Sequence, residues 1–524
     1  MKLIKIMPNK VQIKSNNDQL GDMSINSAIL AVDEERDVSL VCVVTSISRN
    51  EEEVQFDNEG EPLEPETTST IECSIIGSLV NGTFAKAVDI YPATNVKIKQ
   101  IDRELFESMI SDGAAAGFKL GTYVNYDCDA FIDGNRFFQR HSAVLGNTGS
   151  GKSFTVASIL EKLSDLKGAN VVLFDLHGEY SDLDYVKKIK IGDGGMDFPM
   201  WFLSFKDIYG SLLKMKDETA QNQIASLRKA FYAVRDSDKN EDIPIAFDLN
   251  NMVGMLIREN EAEIDTGEVY KTGDKAGMAK TVKGENNGKL TSVINLLTDK
   301  QIDKRYAFMN YPRNQSYLSE FVSEIFGIGE KNVKVVDLSD VPSDMVPTII
   351  AVTVKLLYRV QLQQDRKNLV PLSLICDEAH VYIPTSDFML GASQRRLLDV
   401  FETIAKEGRK FGTSLMVISQ RPSELNRTIM AQCANFIVLK MSNETDKEMI
   451  KGILPDGSKG MIDAVNLFRS GDCLVIGDSA KITFKIKIDL PSQQPNSNTI
   501  DTWDVWKEER VINTNSLVEK LLNE

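Results

Sequence analysis

The stretch VLGNTGSGKSF, Val144 to Phe154, constrains this chain more than any other. Gly146, Asn147, Thr148, Gly149, Ser150, Gly151, Lys152 and Ser153 fit the spacing G-x-x-x-x-G-K-S. Glycines let the backbone curl until its N–H groups face phosphate oxygens. Lys152 is placed to reach the β- and γ-phosphates, and the Ser153 hydroxyl to ligate Mg²⁺. Phe154 completes the stretch on the helix that follows. The flanks agree: SAVL before the loop is an apolar strand, and SFTVASILEKL after it is a helix whose positive end faces the phosphates. The implied cofactors are ATP and Mg²⁺.

A nucleotide loop needs a partner carboxylate. LSLICDEAH puts Asp377 and Glu378 at the end of an apolar run. Asp377 there suits a metal-side carboxylate, and Glu378 a base that polarises the attacking water. SLMVISQRP ends another apolar run with Gln420, placed to sense the γ-phosphate from a neighbouring strand. FDLHGEY sets Asp175, His177 and Glu179 after a third run, at the edge where α/β sheets bind ligands. The three histidines, His141, His177 and His380, have no zinc spacing.

Around these motifs, apolar runs alternate with helical stretches: SAVL, NVVLFD, VKVVDLS, LSLICD, SLMVIS and NFIVLKM are the strand candidates. That pattern predicts an α/β fold with a mostly parallel sheet. At 524 residues the chain has room for two or three domains. Residues 1–105 read as short β segments, SLVCVVTSIS, TIECSIIGSLV and GTFAKAVDIY, forming a small barrel or sandwich. The acidic run NEEEVQFDNEGEPLEPETT reads as a solvated loop. Residues 106–204 and 328–490 read as two parts of the nucleotide core, split by a helical insertion at 205–327. Within the insertion, ENEAEIDTGEVYKTGDKAGMAKTVKGENNG reads as a polar, mobile segment. Residues 491–524 read as a linker ending in a short amphipathic helix, packed on its own domain or docked on a neighbouring subunit.

LLDVFETIAKEGRKFG reads as a helix with Leu397, Leu398, Phe401, Ile404 and Ala405 on one apolar face. Lys406, Arg409 and Lys410 fall at its end, where cations suit the helix dipole. Arg409 is also a candidate arginine finger, acting in trans on the next subunit's nucleotide. Arg140, just before the phosphate strand, is a second candidate. The formal charge of −16 excludes a chain that coats nucleic acid with its whole surface, so any contact with DNA must be local. No apolar run approaches membrane-spanning length. Six scattered cysteines and an N-terminus without an apolar signal core suit a reducing cytoplasm. No NKxD-like motif supports a GTPase.

HSAVLGNTGSGKSF, FDLHGEY, LICDEAH, EGRKFG and ISQRPSELNRTIMAQCANFIVLKM, in this order, resemble the HerA branch of the HerA/FtsK motor ATPases. The resemblance is strongest over about 135–205 and 333–490. It implies a RecA-like core, preceded by a small β-barrel, in a homohexameric ring that drives double-stranded DNA through its channel. Lys152 and Ser153 would bind ATP and Mg²⁺, Asp377 and Glu378 would be the metal-side and catalytic carboxylates, Gln420 the sensor, and Arg409 and Arg140 would act in trans. The family's tail often braces the adjacent protomer. Its members work with a nuclease such as NurA, or with sirtuin-like or other effector enzymes, and the barrel is the natural docking surface. The composition has no thermophile bias and leans towards the antiphage setting. The competing reading is a nucleotide-gated ring that assembles and activates an effector.

Overall fold

The computed structural model describes every residue except 17–22, 52–66, 81, 94, 111–116, 217, 238–239, 273, 276, 312–313, 386–391, 498–501, 510–511 and 524. The acidic run expected as a loop lies almost wholly outside the described residues.

The N-terminal strands are β1 (Lys2–Ile6), β2 (Lys10–Asn16), β3 (Ala28–Asp33), β4 (Val38–Glu51), β5 (Thr67–Val80), β6 (Thr83–Ala85) and β7 (Lys97–Gln100). They form one antiparallel sheet in the order β1-β2-β5-β4-β3-β7, with β6 on β5. The end strands β1 and β7 come close without pairing. Side chains alternate along each strand, so β3 and β4 bury two faces. Ile29, Ala31, Leu40, Cys42 and Val44 line the sheet's own core. Ala28, Leu30, Val41 and Val43 join the core of the larger sheet.

The larger sheet begins with β8 (Gly117–Tyr123), β9 (Cys128–Asp133), β10 (His141–Leu145), β11 (Val171–Asp175) and β12 (Val186–Lys190). The chain then leaves it for a mainly helical region that includes Gln221–Arg235, Leu249–Asn260, Thr291–Ile302 and Tyr317–Phe326. Each of these helices buries an apolar stripe, with Phe231, Met252, Leu297 and Phe321 among the buried residues. The polar segment within this region carries β13 (Glu263–Val269) and β14 (Ala279–Lys283), an antiparallel hairpin in which Ile264 faces Val282. Gly267, at φ +72°, sits at its register shift, a conformation that glycine adopts without strain.

The chain returns with β15 (Val333–Asp337), β16 (Leu372–Cys376), β17 (Thr413–Ser419), β18 (Cys433–Leu439), β19 (Asp472–Gly477) and β20 (Lys485–Ile488). The order is β12-β15-β11-β16-β17-β10-β18-β19-β20-β8-β9. From β12 to β18 the strands are parallel, and β19, β20, β8 and β9 continue antiparallel. The fold is therefore α/β with a mixed sheet. The six strand candidates of the sequence are β10, β11, β15, β16, β17 and β18. β10, β11, β15 and β16 are buried along their whole length, as strands inside a parallel sheet are. No helix among the described residues is long and apolar enough to cross a membrane.

In the tail, Pro491 to Asn496 runs over the chain's own nucleotide core. The helices Thr502–Val505 and Thr514–Asn523 follow it. Trp503 and Trp506 are 73% and 75% exposed, and Leu521 and Leu522 are exposed too. Packing of these apolar groups on their own domain is not what the structure has.

Candidate nucleotide site

The sheet order assembles the site. β17 lies between β10 and β16, and all three point the same way, so their carboxyl ends form one edge. The loop from Gly146 to Gly151 leaves β10 at that edge. Gly149 and Gly151 have φ of +72° and +101°, a region that costs a side-chain-bearing residue energy. A Cβ on Gly146 would fall 2.7 Å from Ser150 Oγ and 2.9 Å from Leu439 Cβ, so close packing also demands glycine there. The helix Lys152–Ser164 starts directly after Gly151, turning its amino end to the loop. Neighbouring strands pin the loop: Asn147 N donates to Lys440 O at 2.9 Å, and Gly471 N to Ser150 O at 2.9 Å.

Lys152 is only 8% exposed, and its Nζ donates to Asn147 O at 3.2 Å. Burial pulls the Lys152 ammonium below the usual lysine range, and the charges of Glu378, Asp377 and Glu179 oppose that pull. Asp377 follows β16 and is buried. Burial first, then the charges of Glu378, Asp175 and Glu179, push its carboxyl well above the usual carboxylate range. A bound divalent cation inverts this balance. Glu378 has φ +42°, a strained left-handed conformation for a residue with a side chain. Burial opposes its ionisation, but hydrogen bonds to His380 and Gln420 and the Lys152 charge outweigh it, so its carboxyl lies below the usual range. Two adjacent carboxyls thus have opposite tendencies, and the one that stays ionised is suited to act as a base.

Gln420, just past β17, joins the two walls. Its Nε2 donates to Glu378 Oε1, and its Oε1 accepts from Thr148 Oγ1 of the phosphate loop. His380 Nδ1 stands 3.2 Å from Glu378 Oε2 and 3.4 Å from Ser419 Oγ. Ser153 lies beside the buried Tyr180 phenol. Asp175 is fully buried, and its carboxylate accepts N–H groups of His177, Glu179 and Tyr180 at 3.2, 3.1 and 2.9 Å. Asp175 therefore shapes a turn, while Glu179 on that turn carries charge to Lys152 and Asp377. The position of Glu179 at a strand end was visible in the sequence; its convergence on the loop was not.

The residues fit a nucleoside triphosphate with Mg²⁺. The Ser150 hydroxyl is buried without a hydrogen-bond partner. The glycine turn presents backbone N–H groups, and Lys152, Ser153 and Asp377 could supply the cationic and metal-side groups. Phe154 is half-buried on the helix behind the loop.

Arg140 and Arg409 are not brought to this edge. Arg140 precedes β10 and Arg409 precedes β17, at the amino ends of the same strands. β10 alone spans roughly 17 Å. Arg140 pairs with Asp478 at 2.6 Å. Arg409 is exposed on the short helical turn Gly408–Phe411, beyond the helix Ala392–Glu407. That helix buries Leu398, Phe401, Ile404 and Ala405; the side chain of Leu397 lies outside the described residues. A cavity of about 590 Å³ also opens at the amino edge, lined by Phe118, Phe138, Leu163 and Leu372 among others, and holds none of the phosphate-loop residues. His141 is structural: Leu415 N donates to its Nδ1 at 3.0 Å, tying β10 to β17.

Comparison with known proteins places this geometry among relatives. The family described as "Helicase HerA, central domain" matches residues 118–357. The chain is 25% identical over 432 residues to a probable helicase of Methanocaldococcus jannaschii, covering 81% of this chain and 76% of that protein. It is 27% identical over 434 residues to the DNA double-strand break repair helicase HerA of Saccharolobus solfataricus, covering 80% and 77%. Among solved structures, VirB4 of Thermoanaerobacter pseudethanolicus aligns with a TM-score of 0.49 at 16% identity, over 71% of this chain and 96% of that one. The plasmid coupling protein TrwB in complex with ADP and Mg²⁺ aligns with a TM-score of 0.44 at 15% identity, over 73% and 91%.

Proposed function

The chain belongs to the HerA family of P-loop ATPases, and from that premise we propose that it is an ATP-hydrolysing hexameric motor that translocates along or unwinds double-stranded DNA. The observation that carries this reading is the chain Glu378–Gln420–Thr148, which connects the acid strand to the phosphate loop through a strand inserted between them. ATP is the substrate whose phosphoanhydride is broken, and a bound Mg²⁺ would neutralise its charge. Lys152 and the loop N–H groups hold the β- and γ-phosphates. Ser153 and Asp377 hold the metal side. Glu378 takes the proton of the attacking water, and Gln420 reports the state of the γ-phosphate to β17.

Arg140 and Arg409 have no role in their own chain's site, since they sit at the opposite edge. In a ring, that edge is available to the next subunit's nucleotide, and both arginines then act in trans on its phosphates. The DNA specificity is inferred from the relatives, four of which are named DNA double-strand break repair helicases. The N-terminal sheet is the docking surface for a nuclease or other effector enzyme, in repair or in antiphage defence.

Native mass of the purified chain tests the assembly. With Mg²⁺ and a non-hydrolysable ATP analogue, a hexamer is expected. A monomer at every protein concentration would overturn the ring and the trans role of the arginines together.

A further inference from the structure

The tail segment Pro491 to Asn496 is a run of Pro, Ser, Gln and Asn, the composition of a linker, yet it is docked. Ser492 N donates to Glu161 Oε1 at 3.2 Å on the phosphate-loop helix. Asp184 N donates to Gln493 Oε1 at 2.7 Å, and Gln493 Nε2 donates back to Asp184 Oδ2 at 2.6 Å. Asn496 Nδ2 donates to Asp182 Oδ2 at 2.7 Å, and Asn496 N donates to Glu179 O at 2.7 Å. Pro491 and Pro495 are buried between these contacts, and proline at both places leaves the segment little freedom to lose on docking. Every one of these bonds lands on the phosphate-loop helix or on the turn Glu179 to Asp184.

That turn is fixed from the other side by the Asp175 carboxylate. It leaves β11, which pairs with β16, the strand that delivers Asp377 and Glu378. Glu179 therefore stands beside the acid pair, its N–H donating to Asp175 Oδ1 at the end of the sheet and its carbonyl accepting from Asn496 N of the tail. Its carboxylate is one of three whose charge reaches Lys152.

We propose that residues 491–496 are a strap that positions Glu179 against the phosphate loop, so that the C-terminal tail sets the rate of turnover. Glu179 is a positioning residue: it acts on Lys152 and Asp377, and the strap acts on it. The exposed helices beyond the strap, with Trp503 and Trp506, give a neighbouring subunit or a partner a handle on the strap. The inference rests on the reading of the site as one that hydrolyses ATP.

The test uses the full chain carrying Gln493→Ala with Asn496→Ala, in wild-type and Glu179→Gln backgrounds. Without nucleotide, hydrogen exchange at the Asp184 amide is expected to speed up by about tenfold or more, with β11 amides unchanged. With ATP and Mg²⁺, kcat is expected to fall about fivefold while KM changes less than about twofold. In the Glu179→Gln background the strap substitutions are expected to add nothing further, since both changes remove the same positioning. Unchanged exchange at Asp184 would overturn the docking. Faster exchange with unchanged kcat would overturn the link to turnover, and an equal loss of kcat in both backgrounds would overturn the route through Glu179. A wild-type chain without ATPase activity would instead sink the reading of the site itself, an outcome visible before any variant is made.

Discussion

Glu378 concentrates the chemistry of the site. It is held in a left-handed backbone, kept ionised by Lys152, His380 and Gln420, and aimed from the acid strand towards the phosphate loop. Glu378→Gln keeps the shape and removes the proposed base. ATP binding by equilibrium titration is expected to stay within about threefold of wild type, while kcat falls by about 10²-fold or more. Wild-type turnover in that variant would remove Glu378 from the role of base. A second residue tests the fold rather than the chemistry. Lys334 is fully buried in β15, with its Nζ bonded to Asn170 Oδ1 at 2.6 Å. Burial, then the charge of Lys187, lowers its pKa from 10.5 to about 8. Between those values the unfolded chain binds the extra proton, so wild-type stability from this group rises with pH across the window. Lys334→Met removes that rise. The melting temperature of the variant relative to wild type is expected to be highest near pH 7.5 and to decline towards pH 10.5. A difference independent of pH would contradict a buried, ionisable Lys334.

Elements explain which parts of the site were legible beforehand. β10, β11, β15, β16, β17 and β18 are parallel, almost wholly buried, and appear in the sequence as mainly apolar runs. Motifs at their ends therefore carried their positions with them. β12 (VKKIK) and β20 (KIKI) intersperse lysines among their apolar residues and so present no apolar run to stand out. The β13–β14 hairpin is built from polar and glycine-rich sequence, and its pairing is set by cross-strand partners that no local pattern reveals. The strap was illegible for a related reason: its anchors are Ser, Gln and Asn side chains whose partners lie some 300 residues earlier. Strand direction also decides what the arginines can do. Arg140 and Arg409 share the amino edge of β10 and β17, so Arg409→Ala and Lys152→Ala chains, each inactive alone, are expected to regain part of their ATPase activity when mixed. No recovery at any mixing ratio would count against action in trans.

At the scale of the whole molecule, the formal charge of −16 and the proposed grip on duplex DNA set a condition. The contacts must be few, local and cationic, and their strength must fall steeply with salt. A ring would satisfy this by repeating one small basic contact around its channel. The apolar helices of the tail and the open amino edge of the sheet are both surfaces that assembly would use. The central claim, that ATP is spent on movement along duplex DNA, is tested most directly by steady-state ATPase of the full chain with and without linear duplex DNA, with Glu378→Gln as the blank. The account predicts strong stimulation by DNA that fades as salt is raised. Slow hydrolysis that is indifferent to DNA at low salt would contradict it, and would point to a ring whose nucleotide serves to assemble an effector.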